Sequence, residues 1–154
     1  MSPDADEFGP AVGEVVDVGE RAKPLPGLDA VNRPYWQAAR EGRLLIQECS
    51  CGHRQWYPRA VCTACGGDPA WLATSGLGVV HTFTVIRQQG VPAFKAELPY
   101  VVCMVELAEG PLVFGSMPGV DPDTVSIGTP VEVWFGAADD ETGVPYWRPV
   151  ESVP

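Results

Sequence analysis

The chain has 154 residues, enough for one domain with a small appendage, and its 45% hydrophobic content suffices for a buried core. Twenty acidic residues against ten Lys and Arg give a net charge of -10. With no run of Lys and Arg, that balance argues against general binding to nucleic-acid backbone.

No stretch approaches the roughly 18 apolar residues of a membrane span, and the N-terminus lacks the basic-then-apolar pattern of a signal peptide. A soluble, cytoplasmic protein is expected. Five cysteines, four of them within residues 49–65, point in that compartment to a metal site in preference to a disulfide framework.

Residues 1–27 carry six acids against Arg21 and Lys23 and show no sustained period. They read as a flexible acidic tail or linker. A helical unit follows over 28–43. Asn32 is a suitable N-cap, Pro34 falls in the first turn and Gly42 ends the run, so the helix is expected over about 33–41. Tyr35, Trp36 and Ala39 give it one apolar face.

From Leu44 the texture is that of strands. LLIQE leads into a cysteine-rich unit assigned to 44–75, and an antiparallel barrel is expected over 76–154. Its five strands are VVHTFTVIR (79–87), YVVCMVEL (100–107), PLVFGSM (111–117), IGTPVEVWF (127–135) and YWRPV (146–150). Val131, Val133 and Phe135 share one face. Gly76 and Gly78 suit a bend or bulge. The class is mainly β: an N-terminal helix, a small zinc ribbon and a five-stranded antiparallel barrel.

Cys49, Cys51, Cys62 and Cys65 form two short knuckles. Tetrahedral zinc takes four thiolates from such hairpins, and a site closed by four cysteines is structural. The first pair is one residue short of the usual two-residue gap, so His53 is an alternative ligand. A relic ribbon without metal, a redox pair and an iron–sulfur site are the other readings. Cys103 reads as a small buried hydrophobe and His81 as a structural strand residue. No Ser-His-Asp order, phosphate loop or carboxylate pair stands out, and the acids of DDETG read as a solvated turn.

NRPYWQAAREGRLLIQEC, CGHRQWYPRAVCTACG, GVVHTFTVIRQ, PYVVCMVELAEGPLVFGSM and IGTPVEVWF, in this order, resemble the zinc-ribbon plus OB-fold proteins associated with acyl-CoA metabolism. The resemblance runs from about Asn32 to Pro149. It implies an accessory subunit of a thiolase-fold or lipid-transfer-protein-like enzyme, with no catalytic residues of its own. The reaction would be an acyl-CoA lyase (aldolase) or acyltransferase step, and in one subtype retro-aldol removal of a steroid side chain. A hydratase partner or fusion is also implied. Acyl-CoA would be the ligand and zinc the structural metal.

Coenzyme A needs surfaces for adenine and pantetheine and cations for phosphate. Trp56, Tyr57 and Phe94 are the candidate surfaces, and Arg54, Arg59, Arg87 and Lys95 the candidate cations. Packing of Trp56 and Tyr57 onto the helix is the competing explanation. The helix and ribbon offer apolar anchors for a partner. Two other function classes stand against this reading: a nucleic-acid-binding ribbon/OB module, which the charge disfavours, and an autonomous hydrolase or lyase, for which no catalytic group is found.

Overall fold

The structure is a computed structural model that describes residues 7–18, 23–88 and 90–151. Among them, no helix is long and apolar enough to cross a membrane. One α-helix and nine strands follow in chain order: β1 (Val15–Asp17), α1 (Arg33–Arg40), β2 (Leu45–Cys49), β3 (Arg54–Gln55), β4 (Pro69–Ala73), β5 (Leu77–Ile86), β6 (Tyr100–Leu107), β7 (Leu112–Met117), β8 (Pro130–Ala137) and β9 (Gly143–Pro149).

Pro34 opens α1, and Gly42, at φ 82°, ends it. The amides of Gly42 and Arg43 bond back to Ala39 and Ala38, as expected for a left-handed glycine past a helix C-terminus. Asn32 does not cap with its side chain. Its Oδ1 accepts from the Asp29 amide and its Nδ2 donates to the Gly27 carbonyl. Asp29 in turn accepts from the amides of Val31 and Asn32. The side chain thus braces the entry loop, because Asp29 already holds the turn.

Two sheets follow. The smaller runs β3-β2-β4, all antiparallel, and carries the cysteine hairpins. In the larger, β5, β6 and β7 form a meander. β8 pairs with the start of β5 and, along its other edge, with β9. Val131, Val133 and Phe135 point inward and are fully buried with Val80, Val101, Val105, Val113 and Trp147. Burial of this β-branched face, at about 1.5–3 kcal/mol per side chain, holds the barrel together. β7 and β9 face each other without a hydrogen-bonded ladder among the described residues. Trp147 fills the seam between them: a Cβ on Gly115 would lie 2.8 Å from its indole.

Three features depart from the sequence expectation. Val15–Asp17, in the stretch read as a structureless tail, pairs in parallel with Phe135–Ala137. β5 leaves β8 beyond Glu132, so the second half of β8 would otherwise be an open edge. Gly13 lets the incoming chain lie close, since a Cβ there would sit 2.6 Å from the Val133 carbonyl. Arg43 holds Gly9, and Arg148 holds Glu14. Next, Gly76 makes the expected bend, at φ 74°, but the bulge in β5 falls further along, between Val80 and Thr82; Gly78 permits close crossing of β6, with a Cβ only 2.5 Å from the Glu106 carbonyl. Finally, β8 begins at Pro130, after a turn in which Gly128 adopts φ 88°.

Candidate functional site

The cysteine knuckles hang from the ends of β2 and β4. The Cys49 amide bonds the His53 carbonyl and the Gly52 amide bonds Cys49, closing the first hairpin; Gly66 to Cys62 and Cys62 to Gly67 close the second. All four Sγ atoms lie within 4.8 Å of one another. Cys49 and Cys65 are 3.5 Å apart, and Cys51 and Cys62 are 3.8 Å apart. Zn–S bonds of about 2.3 Å in a tetrahedron require sulfur separations of about 3.8 Å, so the donor set fits zinc despite the one-residue gap. His53 is turned away, with Nε2 3.0 Å from Thr63 Oγ1.

The thiol electrostatics agree with a cation site. The Cys65 amide, hydrogen-bonded to Cys62, contributes most to lowering that thiol to about 7. Cys65 is itself favoured as thiolate by the Gly67 amide, but the three neighbouring sulfurs raise it to about 12. Four thiolates this close repel one another unless a cation joins them. Away from the cluster, Cys103 is buried and burial pushes its thiol up to about 12.

The second feature is a groove of about 430 Å³ over the barrel face formed by β6, β7 and β9. The second and third barrel strands are the usual ligand face of an OB fold. Helix α1 contributes Tyr35 and Trp36, the hairpin between the knuckles contributes Trp56 and Tyr57, and the loop between β5 and β6 contributes Phe94. Two reciprocal bonds fix this cluster. Trp56 Nε1 donates to Tyr35 Oη and Trp36 Nε1 donates to Tyr57 Oη, each at 3.1 Å. The rings of Tyr35 and Tyr57 meet edge to face, 5.7 Å apart. Packing onto the helix and lining the groove are therefore the same arrangement.

Of the seven residues singled out for acyl-CoA, the groove brings together Trp56, Tyr57 and Phe94. It does not include the four cations. Arg54 pairs with Glu48 at 2.6 Å and donates to the Glu109 carbonyl, tying the ribbon to the β6–β7 hairpin. Gln47 holds the Arg59 backbone through its amide and carbonyl, while the Arg59 side chain is exposed. Arg87 and Lys95 are exposed. The sequence reading missed Tyr100, Phe114 and Tyr146 as groove residues; their only signal was outward register on strands. It also missed Lys23, whose ammonium lies 5.0 Å from the Phe94 ring centre and pairs with Glu97.

Among the described residues, neither feature holds a catalytic constellation. His81 is exposed beside Glu106, with Nδ1 and Oε2 3.6 Å apart. The acids of 139–141 form the expected turn: Asp139 accepts from the amides of Glu141 and Thr142.

Comparison with known proteins follows the same two-part layout. Residues 36–70 match the family model described as the ChsH2 rubredoxin-like zinc ribbon domain, and residues 71–136 match the ChsH2 C-terminal OB-fold domain. A probable enoyl-CoA hydratase alpha subunit of Thermomonospora curvata is 36% identical over 129 residues, covering 82% of this chain and 40% of that protein. The 3-oxo-4,17-pregnadiene-20-carboxyl-CoA hydratase alpha subunit of Mycobacterium tuberculosis is 30% identical, covering 70% of this chain and 37% of that one. This chain thus spans less than half of both hydratase subunits. A DUF35 domain-containing scaffold protein of Pyrococcus furiosus is 34% identical, with 64% and 74% covered. Among solved structures, a chain of an Ltp2-ChsH2(DUF35) aldolase superposes with a TM-score of 0.72 at 35% identity, covering 81% of this chain and 98% of that one.

Proposed function

Since this chain belongs to the ChsH2 family of zinc-ribbon plus OB-fold (DUF35) proteins, we propose that it is a non-catalytic, acyl-CoA-handling subunit. It docks to a thiolase-fold, lipid-transfer-protein-like enzyme and supports carbon–carbon cleavage on an acyl-CoA, as in retro-aldol removal of a steroid side chain. The similar aldolase chain and the steroid-CoA hydratase subunit support that assignment. One observation carries it: the chain builds an aromatic groove beside a four-cysteine ribbon, and among the described residues no acid–base or nucleophilic pair lines that groove.

In this reading the partner removes the hydroxyl proton and stabilises the enolate of the thioester. The ribbon is scaffold. Cys49, Cys51, Cys62 and Cys65 would hold zinc, which supplies cross-linking and no chemistry, because four protein ligands leave no open position. Arg59, Arg87 and Lys95, exposed and without an ion pair among the described residues, are the cations proposed for the coenzyme A phosphates.

The test is co-purification of the tagged chain with mass spectrometry of what it retains, followed by an aldolase assay on the reconstituted pair. A stoichiometric thiolase-fold protein, active in retro-aldol cleavage only with this chain present, is the expected result. A partner fully active alone, or no thiolase-fold partner at low salt with acyl-CoA added, would refute the assignment.

A further inference from the structure

The groove has a chemical bias that the acyl-CoA reading leaves open. Thirteen of the described residues line it, and none of these is charged, although 19% of the chain is. Lys23, over the Phe94 ring, is neutralised by Glu97. A phosphate-bearing nucleotide placed here would lose water and gain no counter-ion, a large penalty. The volume of about 430 Å³ lies within the range of small-molecule pockets, roughly 300–1,000 Å³.

Its polar groups are biased toward donation. A phenol carries one O–H donor besides its acceptor pairs. Tyr35 and Tyr57 each accept an indole N–H, and among the described residues neither donates its own O–H. Beneath the floor, Trp147 Nε1 is buried and has no partner among the described residues, 2.9 Å from where a side chain on Gly115 would begin. Gly115 lines the groove. A buried N–H without a partner costs about 1–3 kcal/mol and calls for an acceptor.

Flat aromatic walls, no charge and unspent donors describe one class of ligand. We propose that this groove binds the acyl moiety itself, a bulky, neutral, alicyclic group bearing a keto or ester oxygen, and excludes the coenzyme A nucleotide. The inference deepens the acyl-CoA reading and rests on it. The nucleotide then lies elsewhere, where exposed cations meet solvent.

The experiment uses the chain alone, so its outcome is independent of whether a partner is found. Trp36 and Trp56 stand in the groove walls and report occupancy by their emission. Androst-4-ene-3,17-dione, a neutral alicyclic diketone, is titrated with and without excess coenzyme A. A saturable emission change that coenzyme A does not displace is expected. Ser116→Arg, on the outward side of β7, should weaken it at least tenfold, with unchanged circular dichroism confirming the fold. Phe114→Ala, at a half-exposed position, should weaken it severalfold and guards against misfolding of the first variant. Absence of saturable binding, competition by coenzyme A, or unaltered affinity in both variants would overturn the proposal.

Discussion

Replacing Gly143 with alanine puts a methyl group where the helix backbone already stands. The new Cβ would lie 2.3 Å from the Ala39 carbonyl carbon and the Arg40 nitrogen, and 2.4 Å from the Ala39 oxygen. Carbon contacts are comfortable at about 3.5–4.0 Å, so α1 must retreat from β9 by at least about 1 Å. These are backbone atoms, and no rotamer change relieves them. Overpacking of this kind costs about 1–3 kcal/mol, occasionally more. The helix also carries Tyr35 and Trp36, so the groove wall moves with it. With a urea slope of about 1–3 kcal/mol/M for a small domain, the midpoint should fall by roughly 1 M. Gly27→Ala is the paired control: its new Cβ meets nothing within 4 Å, so it should be neutral or slightly stabilising. A Gly143→Ala midpoint indistinguishable from both would refute close helix–barrel packing.

Elemental analysis of freshly purified protein should give about one zinc per chain. Chelation or Cys51→Ser should lower the urea midpoint, and a value well under one zinc with no chelator effect would reject the metal. Tyr35 is buried and burial raises its pKa well above the usual phenol value. Since an unfolded tyrosine ionises near about 10, the native state keeps a proton that the unfolded state releases. Stability should therefore be intact below about pH 10 and fall as pH rises above it; urea midpoints across that range should show the decline, and Tyr35→Phe should flatten it. Glu48→Ala breaks an ion pair with Arg54 in which both side chains are 40% exposed. The loss should stay below about 1 kcal/mol and shrink with added salt, which denaturation at two salt concentrations would reveal.

Much of the fold is written in local pattern. β-branched alternation in IGTPVEVWF places Val131, Val133 and Phe135 inside the barrel, and all three are buried. Pro34 and Gly42 bracket the helix because one fixes φ and the other adopts a left-handed turn. The cysteines sit close enough in sequence for two hairpins to gather them, and the short first gap costs little because Gly52 turns at φ 89°.

Other features depend on partners distant in sequence. Val15–Asp17 has no strand signature strong enough to stand alone; it becomes a strand because β8 offers an unpaired edge 120 residues later. Asn32 is a cap by propensity, yet Asp29 takes the turn and the Asn32 side chain is spent on the loop. The groove shows the same division. Trp56, Tyr57 and Phe94 stand out as aromatic residues beside turns, whereas Tyr100, Phe114 and Tyr146 become its walls only when three strands are set side by side. The basic residues near those aromatics in sequence do not line it: Arg54 is tied to Glu48 and Glu109, while Arg59, Arg87 and Lys95 face solvent. Sequence alone determined the helix, the main barrel strands and which thiols can share a metal, because these follow from short-range spacing. Which side chains share one cavity, and that none of the described residues lining it is charged, was decided by tertiary packing, since burial disfavours any charge the fold cannot pair.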